Sequence, residues 1–184
     1  MKRLLTPLLL PLLASLWLGA TPALAQTACP ALLDHRFRTL QGAALDLCAH
    51  AGKPILVVNT ASKCGYTSQF EKLEALDRRY RARGLLVVGF PSNDFQQEPG
   101  SNQEIARFCK MTYAIDFPMI ERGAVSGKNA DPFYRKLHAA TGKQPAWNFH
   151  KYLIAPDGRT VYSFPSEMEP DAREILSRLT PMLR

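Results

Sequence analysis

Several features are missing from this 184-residue sequence, and each absence removes a class of function. There is no Cys-x-x-Cys pair, so the usual motif of a thiol–disulfide exchange enzyme is lacking. The four cysteines, Cys29, Cys48, Cys64 and Cys109, stand 19, 16 and 45 residues apart, with no close pair to begin a zinc site. The histidines, His35, His50, His138 and His150, are equally scattered. No metal or other cofactor is therefore predicted. Eleven glycines and 14 prolines are ordinary levels, which excludes collagen-like and disordered chains. No repeat and no low-complexity segment follows residue 25. The basic run Arg78, Arg79, Arg81 and Arg83 has only Tyr80 among it, so nucleic acid is not a predicted partner.

What is present begins at the N-terminus. Met1-Lys2-Arg3 precedes a leucine-rich stretch from Leu4 to Leu18, broken by Thr6, Pro7, Pro11 and Ser15. The small-x-small triplet Ala23-Leu24-Ala25 follows. Two cations, a short apolar stretch and such a triplet predict a cleaved signal peptide over residues 1–25. The stretch is too short for a bilayer-spanning helix of roughly 20 residues, so no stable membrane insertion is expected after cleavage. Removing these 25 residues, Lys2 and Arg3 among them, leaves 159 residues and lowers the net charge from +7 to +5. A chain of that length suits one domain, residues 26–184, in the periplasm or secreted. That compartment permits disulfides.

Phe37–Leu40 and Ala44–Leu47, joined through Gln41-Gly42, read as a hairpin. Ile55–Val58 and Leu85–Phe90 are continuous apolar runs, predicted as buried strands. Between them Phe70, Leu73, Leu76 and Tyr80 mark one face of a helix, capped by Thr67 or Ser68 and running to Arg83 before Gly84. Ser101 and Glu104 form a capping box for a helix to about Tyr113. Asp131-Pro132 opens another helix. Asn148–Ala155 and Thr160–Phe164 flank the turn Pro156-Asp157-Gly158-Arg159, and Asp171 is predicted to start a final helix. This order predicts an α/β sandwich. A βαβ half and a ββα half with an insertion between them is the layout of the thioredoxin fold, although periodicity alone does not select it.

Cys64 falls in the loop between the first buried strand and its helix. Backbone N–H groups at a helix start favour a thiolate, and Lys63 adds a cation. The alternative is a buried, inert cysteine. Around it, Val58-Asn59-Thr60-Ala61-Ser62-Lys63-Cys64-Gly65-Tyr66-Thr67 resembles the active-site motif of the glutathione peroxidase family. Gly89-Phe90-Pro91-Ser92-Asn93-Asp94-Phe95 and Gln97-Glu98-Pro99-Gly100-Ser101 resemble its second motif. Trp147-Asn148-Phe149-His150-Lys151-Tyr152-Leu153-Ile154 resembles its third. The motifs come in order, and the resemblance runs from about Leu33 to the C-terminus.

The resemblance implies a thioredoxin fold and reduction of hydrogen peroxide or organic hydroperoxides. It places Cys64 as the peroxidatic residue, where the family uses selenocysteine or cysteine. It assigns Trp147 and Asn148 to the catalytic centre, as donors to the sulfur or to the leaving oxygen. One position departs. The family's second motif usually has glutamine where this chain has Asp94, and the loop is one residue short. Asp94 either takes the thiol proton as a base or points away as a turn acid. Gln96 or Gln97 is then the candidate amide.

Cys109 lies in the capping-box helix. Subfamilies that use thioredoxin instead of glutathione resemble this chain there, which implies a resolving role for Cys109 after local unwinding; the alternative is a packed apolar cysteine. Cys29 and Cys48 suit a structural disulfide in an oxidising compartment, with a lipidated Cys29 as the lesser option. The reductant is predicted to be a thioredoxin-like protein or glutathione. The short Ile120–Asp131 stretch, where some family members carry an interface loop, suggests a monomer. Two other readings stay open: a thiol–disulfide exchange protein, or a non-catalytic binding or accessory protein on the same fold.

Overall fold

The computed structural model describes residues 28–184, so the predicted signal peptide lies outside the described residues. The hairpin forms as β1 (Arg36–Arg38) and β2 (Ala44–Asp46), paired antiparallel. Next comes β3 (Ile55–Thr60), buried along its whole length, as a continuous apolar run requires when both faces are covered. Helix α1 (Gln69–Tyr80) buries Phe70, Leu73, Leu76 and Tyr80, the predicted face. It is shorter than predicted: Arg81–Arg83 form a 3-10 turn, closed by Gly84 at φ 99°. The predicted cap is also different. Ser68 makes no side-chain capping bond, and the Thr67 hydroxyl donates to the Cys64 carbonyl at 3.0 Å.

Strand β4 (Leu86–Pro91) runs parallel to β3, with Ile55 opposite Leu86 and Thr60 opposite Pro91. Helix α2 (Asn102–Tyr113) starts at the capping box, in which Ser101 and Glu104 satisfy each other's backbone N–H groups. Helix α3 (Pro132–Thr141) is capped by the Asp131 carboxylate. Strands β5 (Lys151–Ile154) and β6 (Val161–Phe164) form the second hairpin. Helix α4 (Arg173–Leu179) begins later than predicted, because the Asp171 carboxylate pairs with Lys72 at 3.1 Å instead of capping it.

The main sheet has the order β4-β3-β5-β6. A βαβ half and a ββα half meet at β3 and β5, with α2 and α3 in the connection, as in the thioredoxin fold. Alternation along β3 divides the apolar interior in two. Leu56 and Val58 pack with residues of α1, α2 and α4. Ile55 and Val57 pack with α3 and the N-terminal hairpin. Cys29 and Cys48 form a disulfide, Cα–Cα 5.5 Å, that ties the segment before the hairpin to the 3-10 turn after it. The topology brings the C-terminal ends of β3 and β4 and the start of β5 to one end of the sheet.

Candidate active site

Three segments converge at that end. The first leaves β3 and carries Cys64, which is 6% exposed. Cys64 lies five residues ahead of α1, in a run of turns leading into the helix. The Tyr66 N–H donates to its Sγ at 3.4 Å. The amide dipole expected from a helix start is therefore supplied by the turn that precedes the helix.

The second segment is the loop after β4. The Lys63 N–H donates to the Gln97 carbonyl at 3.0 Å. The Ser62 hydroxyl donates to the Glu98 carboxylate at 2.8 Å, and the Glu98 N–H donates to the Asn93 side chain at 2.9 Å. Gln96 takes a φ of 58°, the left-handed turn by which the shortened loop reverses.

The third is the Trp147–Phe149 turn, clamped by Asn59 at the end of β3. Asn59 Nδ2 donates to the Trp147 carbonyl at 3.1 Å, and the Asn59 carbonyl accepts from the Phe149 N–H at 2.7 Å. Phe149 has a φ of 62°, a conformation that costs a non-glycine residue about 1–2 kcal/mol and that the clamp sustains. Asn148 is fully buried and donates from Nδ2 to Gln97 Oε1 at 2.9 Å. An amide nitrogen carries two hydrogens, so one remains to serve a sulfur or oxygen anion. Trp147 is 41% exposed, its ring 5.4 Å from that of Phe95.

The structure therefore joins Asn148 to the Cys64 loop through Gln97 and holds the adjacent Trp147 through Asn59 at the end of β3. Asp94 is turned elsewhere. One of its carboxylate oxygens accepts from the Val125 N–H at 2.7 Å, the Ser126 N–H at 2.8 Å and the Ser126 hydroxyl at 3.1 Å. Three donors commit that carboxylate to bracing a neighbouring loop, which corrects its assignment to the catalytic set. Of the two candidate amides, it is Gln97 whose side chain bonds Asn148 and whose carbonyl bonds Lys63. Asn59 and Glu98 lie within the motifs, but their bonding partners are not visible in the sequence. A buried amide closing an otherwise apolar strand was the available signal for Asn59.

Cys109 is 3% exposed and shares the inward face of α2 with Ile105. Burial, helped by the Glu98 carboxylate, pushes its thiol up to about 12. It therefore rests as the thiol at neutral pH. Both it and Cys64 are free thiols within one apolar cluster. Between the Cys64 loop and α2 lies a cleft of about 430 Å³, lined by Ser62, Lys63, Glu98, Glu104, Ile105 and Phe108.

The sequence profile of glutathione peroxidases matches residues 32–138. The chain belongs to the glutathione peroxidase family. A glutathione peroxidase-like peroxiredoxin of Schizosaccharomyces pombe is 43% identical over 128 residues, which cover 67% of this chain and 81% of that protein. Among solved structures, T. cruzi GPX1 aligns with a TM-score of 0.63 at 27% identity, over 82% of this chain and 95% of the other. A thiol:disulfide interchange protein of Chlorobium tepidum aligns with a TM-score of 0.60 at 17% identity, over 79% and 92%, a likeness of fold alone. As a glutathione peroxidase family member, the protein is a thiol peroxidase, an oxidoreductase acting on peroxide.

Proposed function

We propose that this glutathione peroxidase family member works as a two-cysteine peroxidase with Cys64 as the attacking residue. The observation that carries this reading is the join between Cys64 and its surroundings. Its sulfur accepts a backbone N–H, and its loop is bonded to Gln97, which in turn holds Asn148. The Cys64 thiolate attacks one peroxide oxygen and the O–O bond breaks. Water or an alcohol leaves, and Cys64 becomes a sulfenic acid. The free Asn148 N–H and the Trp147 indole N–H are the donors for the charge on sulfur or on the departing oxygen.

Cys109 then condenses with the sulfenic acid, giving a Cys64–Cys109 disulfide and water. A thioredoxin-type protein returns both thiols, in keeping with the peroxiredoxin names of relatives such as the S. pombe protein. We place this cycle in the periplasm or outside the cell, on the strength of the leader; the Cys29–Cys48 disulfide suits such a compartment. A monomer is sufficient for it, since every residue invoked belongs to one chain.

Peroxide turnover with thioredoxin and with glutathione tests the assignment. Cys64→Ser should be inactive with both. Cys109→Ser should lose thioredoxin-driven turnover and hold a stable sulfenic acid. Turnover in Cys64→Ser would overturn the reading.

A further inference from the structure

The cleft between the Cys64 loop and α2 holds one buried acid that the peroxide step does not use. Glu98 is 2% exposed, and its carboxylate is oriented by the Ser62 hydroxyl at 2.8 Å, two residues before Cys64. Its backbone is fixed on both sides: the N–H donates to Asn93, and the carbonyl accepts from Arg122 at 3.1 Å. The Glu98–Gly100 segment runs against the helix that carries Cys109, since a Cβ at Gly100 would lie 3.5 Å from Ile105. Ile105 and Cys109 are one helical turn apart on the same face. Cys109 itself lines a neighbouring pocket with Ala106 and Ile115, and local opening of α2 is what brings it to Cys64. It arrives as a thiol, whereas the species that attacks a sulfenic sulfur is the thiolate.

We propose that Glu98 is the proton acceptor for Cys109 in the disulfide-forming step. This rests on the two-cysteine reading above. The Glu98 carboxylate takes the proton from the Cys109 thiol, and the Cys109 sulfur bonds to Cys64 Sγ. The S–O bond of the sulfenic acid breaks, and the departing hydroxide takes the proton back from Glu98 to leave as water. Cys109 sulfur is oxidised and Cys64 sulfur is reduced, so no outside oxidant is needed. Burial raises the Glu98 carboxyl, which makes its anion a stronger base than a surface carboxylate. The charged and titratable groups that face it are Lys63 from the Cys64 loop, Glu104 and Cys109 from α2, and Arg122 from the segment after Pro118.

Glu98→Gln is the direct test, since its amide oxygen can still accept from Ser62 while it cannot take a proton. One equivalent of peroxide is added to the full chain. Dimedone labelling reports the Cys64 sulfenic acid, and non-reducing mass spectrometry follows disulfide closure across pH. In the wild type, closure should rise with pH through the raised Glu98 midpoint. In Glu98→Gln that rise should vanish, closure should slow by about a hundredfold, and dimedone-reactive Cys64 should accumulate. Glu98→Asp should recover part of the rate. Ser62→Ala, which removes the carboxylate's hydroxyl partner, should move the midpoint upward; a merely structural loss would lower the rate without moving it. Closure in Glu98→Gln as fast as in the wild type, or an unmoved midpoint in Ser62→Ala, would overturn the proposal. A wild type that forms no Cys64–Cys109 disulfide would overturn the two-cysteine reading and this step with it. That outcome differs from a disulfide that forms regardless of residue 98.

Discussion

Cys64 and Cys109 share one apolar cluster, but the segments that carry them are held in opposite ways. The Cys64 end is bonded from three directions. Asn59 clamps the Trp147–Phe149 turn, Gln97 joins Asn148 to Lys63, and Glu98 ties down Ser62. It even sustains a left-handed Phe149. Helix α2 buries only Ile105 and Cys109, leaves Met111 80% exposed, and ends on Ala114 at a φ of 52° without a glycine. The difference matches the two halves of the proposed cycle. Attack on peroxide needs donors fixed before the substrate arrives. Disulfide closure needs a helix that can unwind at low cost, and a helix with few buried contacts opens readily.

Three changes would break or sharpen this contrast. The largest effect belongs to the fixed end. Asn148→Ala removes one preorganised donor and should slow Cys64 oxidation by about 10²-fold, with disulfide closure from sulfenic acid unchanged. Stopped-flow measurement of the two phases separates them, and a slowed second phase would argue that the turn also steers Cys109.

The second acts through pH on the same end. His150 lends its carbonyl to Asn59, and its ring nitrogen Nε2 lies 2.8 Å from the Ser163 hydroxyl. Burial lowers its pKa from 6.5 to about 4. The folded value lies below the unfolded one, so the unfolded chain binds more protons across that window. The stability this confers is complete above pH 6.5 and is lost as pH falls toward 4, on the order of 3 kcal/mol. Urea midpoints at pH 7 and pH 4.5 should differ accordingly in the wild type and much less in His150→Gln. An equal acid loss in both would remove His150 from the account.

The smallest effect is on the helix. Ala114→Gly relieves the left-handed alanine at the α2 C-terminus and should stabilise the helix by about 1 kcal/mol. If closure requires unwinding there, the disulfide should form roughly fivefold more slowly, since 1.4 kcal/mol is a factor of ten. A higher melting temperature with unchanged closure would place the opening elsewhere along α2.

Much of this contrast could be read in the sequence, because it rests on local chemistry. Ser101 and Glu104 announce the start of α2 whatever lies around them, and Asp131-Pro132 does the same for α3. The apolar runs of β3 and β4 and the face of α1 follow from periodicity. What escaped depends on partners distant in the chain. Asp94 is turned away by Val125 and Ser126, more than thirty residues later, and no reading of its own loop could show that. Asp171 is drawn to Lys72 across the fold and so caps nothing. Asn59 acts on a turn 88 residues downstream, and Glu98 matters because of the cleft it faces. The three motifs converge at one end of the sheet, while the partners of individual polar side chains within them are set by the fold.

The central claim is that a fixed Cys64 passes its oxidation to a Cys109 carried on a helix that opens. Non-reducing mass spectrometry of the wild-type protein after one equivalent of hydrogen peroxide tests it most directly. The account predicts a Cys64–Cys109 disulfide in nearly every molecule, with Cys29–Cys48 unchanged. Persistent Cys64 sulfenic acid with a free Cys109 thiol would contradict it.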